Sequence, residues 1–146
     1  MKILLLEDDL ILNEIIEEHL LSQNYEVSAV YTGLEAQDLL YSQKFDLLLL
    51  DVNVPILNGF ELLKELRQKE IYTPAIFLTS LNQVSDIEEG FKSGCDDYIK
   101  KPFELKELDI RINNIKRLFN INPNNLIEIS KDIFLDVENL LIIKND

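Results

Sequence analysis

Three short apolar runs in this chain each stop at a polar group of a definite kind, and a further short strand does so just before a proline. Ile3 to Leu6 stop at Glu7-Asp8-Asp9, Leu47 to Leu50 at Asp51, and Ala75 to Leu78 at Thr79-Ser80, while a run from Asp97 to Lys100 is followed by Lys101-Pro102. An acid at the end of a strand is by itself also a common turn former or helix cap, and Asp8 or Asp9 is expected to cap the helix that follows. Taken together the types fit one chemistry. Gathered carboxylates repel one another unless a cation or a proton neutralises them. Carboxylate and carbonyl oxygens suit Mg²⁺, which also favours phosphate. A carboxylate beside such an ion can attack phosphorus and become an acyl phosphate. A hydroxyl and an ammonium are then what the phosphoryl oxygens need as partners.

The elements that must bring these groups together follow from periodicity. The Leu47 to Leu50 run is too short for a buried helix and suits a strand covered on both faces. Pro55 and Asn58-Gly59 then break the chain. Leu10, Ile11, Ile15, Ile16 and Leu20 recur at helical spacing, with Asn13, Glu14, Glu17 and Glu18 between them. Val27 to Val30 read as a second strand, followed by a helix through Leu34, Leu39 and Leu40. Asn58-Gly59 open a third helix with Phe60, Leu62, Leu63 and Leu66 on its apolar face. Gln83 to Ser93 read as a thinly apolar fourth helix, with Val84, Ile87 and Phe91 as its large buried candidates and Gly94 as its cap. A last helix runs through Leu105, Leu108, Ile112, Ile115 and Leu118. Such alternation implies an α/β fold: a doubly wound, five-stranded parallel sheet with five helices over both faces. Its carboxyl edge would then hold every polar strand end, with the first and third strands adjacent.

Composition sets the remaining bounds. The 146 residues suffice for one domain and a short appendage, and 47% hydrophobic content supports an ordinary core. Lys and Arg number 14 against 27 Asp and Glu, a net charge of -13, which argues against a nucleic-acid surface in this stretch. Cys95 is the single cysteine, so no internal disulfide forms, and it reads as a small core residue. His19 has no metal-ligand partner at a useful spacing. Neither a signal peptide nor a membrane span is evident, so a cytoplasmic protein is the expectation.

The motifs ILLLEDD, LLLLDVNVP-x-x-NG, FLTS and GCDDYIKKPF, from Met1 to about Phe119, resemble the receiver domain of bacterial two-component response regulators. The resemblance implies a flavodoxin-like strand order of 2-1-3-4-5, with Asp51 as phosphoacceptor. Glu7, Asp8 and Asp51 would bind Mg²⁺, joined by the backbone carbonyl of Asn53. Thr79 and Lys101 would contact the phosphoryl group, and Tyr98 is identified as the aromatic that swings on activation. Only the family pattern selects Lys101 over its neighbour Lys100, and it implies a cis Lys101-Pro102 bond. The pattern departs at Leu81, where a small residue is usual, and Asn53 holds a position that tunes phosphoryl lifetime.

After Phe119 the composition shifts. Residues 120–125 read as a linker, and 126–146 as a short antiparallel β-meander. With Arg111, this tail resembles the OmpR/PhoB-like winged-helix class, whose DNA-binding domain opens with such a sheet. The expectation is therefore a receiver (1–119) joined to an effector domain that is truncated here. The resemblance implies a sensor histidine kinase as phosphoryl donor, control of transcription, and a homodimer through the fourth helix, fifth strand and fifth helix. Asp97 with Arg111, and Asp96, match its cross-subunit ion pairs, whereas Ile87 and Lys92 depart from that face. Two rivals stand beside this reading. An aspartate-nucleophile phosphohydrolase would need a second Asp where the chain has Asn53, and a phosphorylation-independent interaction module would keep only the fold. A nucleotide-binding α/β protein is disfavoured because no glycine-rich loop follows the first strand.

Overall fold

The structure is a computed structural model and describes residues 1–80 and 84–120. Residues 121–146 lie outside it, and with them the β-meander and all of the linker except Asn120. Two compact units divide the chain, Met1–Arg111 and Ile112–Asp146, with the boundary inside the last helix. The first holds β1 (Lys2–Leu6), α1 (Leu10–Ser22), β2 (Glu26–Val30), α2 (Gly33–Ser42), β3 (Leu47–Asp51), α3 (Gly59–Gln68), β4 (Ala75–Thr79), α4 (Val84–Lys92), β5 (Asp97–Lys100) and the start of α5 (Leu105–Phe119). The five strands are all parallel, in the order β2-β1-β3-β4-β5, as expected.

Every residue of β3 and β4 is buried, as continuous apolar runs require between two helix layers. The pleat sorts their side chains. Leu4, Leu6, Leu48, Leu50, Ala75 and Phe77 join Ala36 and Leu40 of α2 and Leu62, Leu63 and Leu66 of α3 in one core. Ile3, Leu5, Leu47 and Leu49, equally buried, alternate to the other face. On α1 and α5, His19 Nε2 lies 2.8 Å from Asp109 Oδ1, a link the sequence reading did not anticipate.

Register does the positioning. Leu6 pairs with Leu50, so the next residues out of the sheet, Glu7 and Asp51, emerge side by side. Asp51 pairs with Leu78 and Thr79 with Lys100, which sets the hydroxyl and the following Lys101 on the same edge. Asp9 caps α1, accepting from the Ile11 and Leu12 amides at 3.0 and 3.1 Å. Asn58 caps α3 in a reciprocal box with Glu61. Gly59 follows because a Cβ there would meet the Asp51 carbonyl oxygen at 2.7 Å.

Four helix faces differ from expectation. On α1 the buried residues are Asn13, Ile16 and Leu20, while Leu10, Ile11 and Ile15 are exposed. An amide is kept inside because it serves two carbonyls, of Glu7 just past β1 and of Val30 at the end of β2. On α2, Ala36 and Leu40 are buried and Leu34 is half exposed. On α4, Phe91 is exposed and Gly90 is buried instead, its Cα face against the Phe77 and Phe60 rings. Close approach of backbone to ring turns residue 91 away from the core. Leu118 near the end of α5 is likewise exposed, whereas Leu108, Ile112 and Ile115 are buried.

Candidate functional site

The carboxyl edge brings together the groups that the strand ends predicted. Glu7, Asp8 and Asp51 each offer a carboxylate oxygen, and these lie within 4.8 Å of one another. Glu7 and Thr79 have no exposed surface and Asp51 has 2%. Lys101 Nζ sits between the acids, 2.6 Å from Glu7 Oε1 and 3.3 Å from Asp51 Oδ2. Lys100 is exposed, so tertiary structure makes the choice between the two lysines. The Lys101-Pro102 peptide is cis, and the Lys101 amide donates to the Thr79 carbonyl at 2.7 Å.

Backbone amides fix the remaining oxygens. The Asn53 N–H donates to Asp51 Oδ1 at 3.0 Å, and the Asp9 N–H to Glu7 Oε2 at the same distance. Burial pushes the Glu7 carboxyl up to about 7 and Asp51 adds to the rise, against the pull of Lys101 and the Asp9 amide. Asp8 is more open, and it too is raised, by partial burial and then by Asp51. For Lys101, burial lowers the ammonium's pKa, but Glu7 and Asp51 outweigh it and the net shift is upward. Three crowded carboxylates against one ammonium leave an excess of negative charge. The all-oxygen donor set fits a hard divalent cation such as Mg²⁺.

Beside this pocket, Thr79 at the end of β4 is buried and Tyr98 on the neighbouring β5 is half-buried. Its phenol is raised by burial and by the charge of Asp86 on α4. Asp97 pairs with Arg111 within the chain at 3.3 Å. The exposed Asp96 accepts from the Ala75 amide at 2.9 Å and lies 3.4 Å from Arg67. Cys95 is buried, its thiol pushed up to about 12 mainly by burial, so it is a core residue as read. Asn13 is the site neighbour that sequence reasoning placed wrongly, on the polar face of α1. The signal was available in its spacing, since 13, 16 and 20 form a stripe of their own.

The fold and site define an α/β protein with an acidic, lysine-bearing pocket at the carboxyl edge of a doubly wound sheet. The chain belongs to the response regulator receiver domain family, whose profile matches residues 3–113. It is similar to the transcriptional regulatory protein CrdR of Helicobacter pylori, 46% identical over 134 residues, covering 91% of this chain and 60% of that one. The response regulator protein PmrA of Pseudomonas aeruginosa is 40% identical over 117 residues, covering 80% and 53%. The chain thus spans roughly half to three-fifths of these relatives. Among solved structures, the receiver domain of Francisella response regulator 1452 superposes with a TM-score of 0.77 at 35% identity, covering 81% of this chain and 98% of that one. A receiver domain of a Pseudomonas aeruginosa sensor histidine kinase, with a magnesium ion coordinated in its active site cleft, gives 0.70 at 35% identity, covering 80% and 94%. The receiver reading and the 2-1-3-4-5 fold are therefore borne out, and the chain is a receiver of the two-component phosphoacceptor class, homologous to transcriptional regulators. The phosphohydrolase and phosphorylation-independent readings gain no support. Among the described residues, no helix is long and apolar enough to cross a membrane.

Proposed function

We propose that Asp51 accepts a phosphoryl group from the phosphohistidine of a sensor kinase, and that this switches the receiver toward a dimer controlling transcription. The observation that carries it is the buried Asp51 carboxylate, with Lys101 at 3.3 Å and the Glu7-Asp8 pair alongside. Glu7, Asp8 and Asp51 would hold Mg²⁺ with the Asn53 backbone carbonyl. When bound, the ion screens the carboxylates and draws charge from the phosphoryl oxygens. An Asp51 oxygen forms the new bond to phosphorus as the bond to the histidine nitrogen breaks, and that nitrogen keeps the electron pair. Lys101, released from part of its pairing with Glu7, moves its ammonium to the phosphoryl oxygens. The Thr79 hydroxyl would donate to another of them, and Tyr98 on the paired strand β5 would carry the change toward α4.

The dimer would form through α4, β5 and α5, with Asp97 and Arg111 exchanging their intrachain pairing for one across subunits, and with Asp96 at its edge. Residues 1–119 would act as the receiver, 120–125 as linker and 126–146 as the opening sheet of a winged-helix domain that contacts DNA. A cytoplasmic setting suits a kinase partner and a lone buried thiol. Intact mass after incubation with Mg²⁺ and acetyl phosphate tests the first step. One phosphoryl group is expected on the wild type and none on Asp51→Asn. Stoichiometric labelling that persists in the variant would remove Asp51 from the role.

A further inference from the structure

The Asn13 amide sits fully buried on α1, in a stripe otherwise made of Ile16 and Leu20. Its Nδ2 donates to the Glu7 carbonyl at 2.9 Å and to the Val30 carbonyl at 3.1 Å. The Glu7 amide also donates to Val30 O, at 3.2 Å. One side chain therefore joins the ends of β1 and β2 to α1, at the point where the chain leaves the sheet for the acidic loop. Chemistry settles the amide's orientation, since a half-turn would set Oδ1 against two carbonyl oxygens. Oδ1 itself has no hydrogen-bond partner among the described residues. An unpaired buried acceptor loses its hydration with nothing in return. A leucine of nearly the same shape would avoid that cost, so packing alone does not call for an amide here. The two donated hydrogen bonds do.

We infer that Asn13 is a positioning residue for the metal pocket. It acts through the Glu7 carbonyl, and the inference rests on the Mg²⁺ reading above. The Glu7 carbonyl shares a peptide plane with the Asp8 nitrogen, so holding it sets the direction in which Asp8 leaves the strand. Asp9 braces the loop from the far side, with its amide on Glu7 Oε2 and its carboxylate on the first turn of α1. Between these two anchors, Glu7 and Asp8 are held toward Asp51 although like charge pushes them apart. Groups that orient metal ligands from behind typically change affinity about 10–100-fold when removed.

The test compares wild type with Asn13→Leu. Mg²⁺ is titrated into each metal-free protein by ¹⁵N-edited NMR, and thermal unfolding without metal is recorded in parallel. The expected result is a Kd for Mg²⁺ raised about tenfold or more in Asn13→Leu. Labelling by acetyl phosphate would be slow at limiting Mg²⁺ and recover when the ion is in excess. A lower melting temperature with unchanged Kd overturns the inference and makes Asn13 purely structural. If Asn13→Leu does not fold, the wild type decides. The Asn13 side-chain amide signals should shift with the same Mg²⁺ midpoint as the Asp8 backbone amide, while those of Gln37 on α2 stay still. Asn13 signals that do not move overturn it. Failure of the wild type to bind Mg²⁺ overturns the functional reading along with the inference, which sets it apart from a wild type that binds beside an unaffected Asn13→Leu.

Discussion

Glu7 combines complete burial with three contacts of opposing effect. Its carboxyl is raised from 4.5 to about 7 by burial and by Asp51, although Lys101 and the Asp9 amide favour its charge. The native state therefore keeps a proton across that interval that the unfolded chain has already released. Stability of the metal-free protein from this group is thus greatest at low pH and falls as pH rises from about 4.5 to 7. Mg²⁺ requires the carboxylate, so its affinity should climb over the upper part of the same window. The slope should approach about tenfold per pH unit, the limit for one displaced proton. Melting temperatures and Mg²⁺ titrations of wild type and Glu7→Gln across this range check both trends. A wild-type-minus-variant difference that is flat with pH would contradict the raised value. Ile56 is another residue whose setting the local pattern does not explain. It adopts φ of 72° in the β3–α3 loop, is 87% exposed, and nothing in the structure accounts for a β-branched residue there.

Among the elements, α3 and α4 contrast in the packing of their described side chains. α3 buries Leu62, Leu63 and Leu66, and Phe60 meets Phe77 edge-to-face at 5.1 Å. α4 buries Gly90, exposes Phe91, and is followed by a buried Ser93 whose hydroxyl turns back to Glu89 O at 2.8 Å. Each buried leucine is worth about 1.5–3 kcal/mol, so local opening of α4 should cost much less than opening of α3. Amide hydrogen exchange is expected to show α4 protected at least about tenfold less than α3. Equal protection would mean that contacts outside the described residues hold α4 down. An easily opened α4, whose Asp86 charge acts on the Tyr98 phenol, is what the switch proposed through Thr79 requires.

At the scale of the molecule, the two edges of the sheet are held differently. At the amino edge Arg67 is half-buried and donates to the Ile71, Thr73 and Gly94 carbonyls, tying the turn after α3 to the turn after α4. The carboxyl edge carries the unbalanced acids of the pocket. The β5–α5 side offers Arg111, 42% exposed, 3.3 Å from Asp97 Oδ1 and 3.5 Å from Glu107 Oε2. Exposed pairs of this kind are worth under about 1 kcal/mol, so the guanidinium can leave them for a partner subunit at little cost. Arg111→Glu should label at Asp51 like the wild type and melt within a few degrees of it. Size exclusion should show that the phosphorylated variant stays monomeric. A dimer that forms undiminished would remove this face from the assembly.

Much of this protein is legible in its residues alone. Continuous apolar runs of four, each ended by an acid or a threonine, define parallel strands and identify their functional ends. That information is local, because strand burial and strand termination are written in adjacent residues. The reading weakened where one residue had to be chosen over its neighbour. Lys101 rather than Lys100 faces the acids: Lys100, the last residue of β5, is exposed, while Lys101 Nζ lies 2.6 Å from Glu7 Oε1. Asn13 rather than Leu10 or Ile11 faces the sheet because the docking of α1 is set by the two carbonyls that the amide reaches. Periodicity reports that a helix has an apolar stripe and roughly how wide it is. Which edge of that stripe meets the sheet depends on hydrogen bonds and close approaches between elements far apart in sequence, and those exist only once the chain has folded.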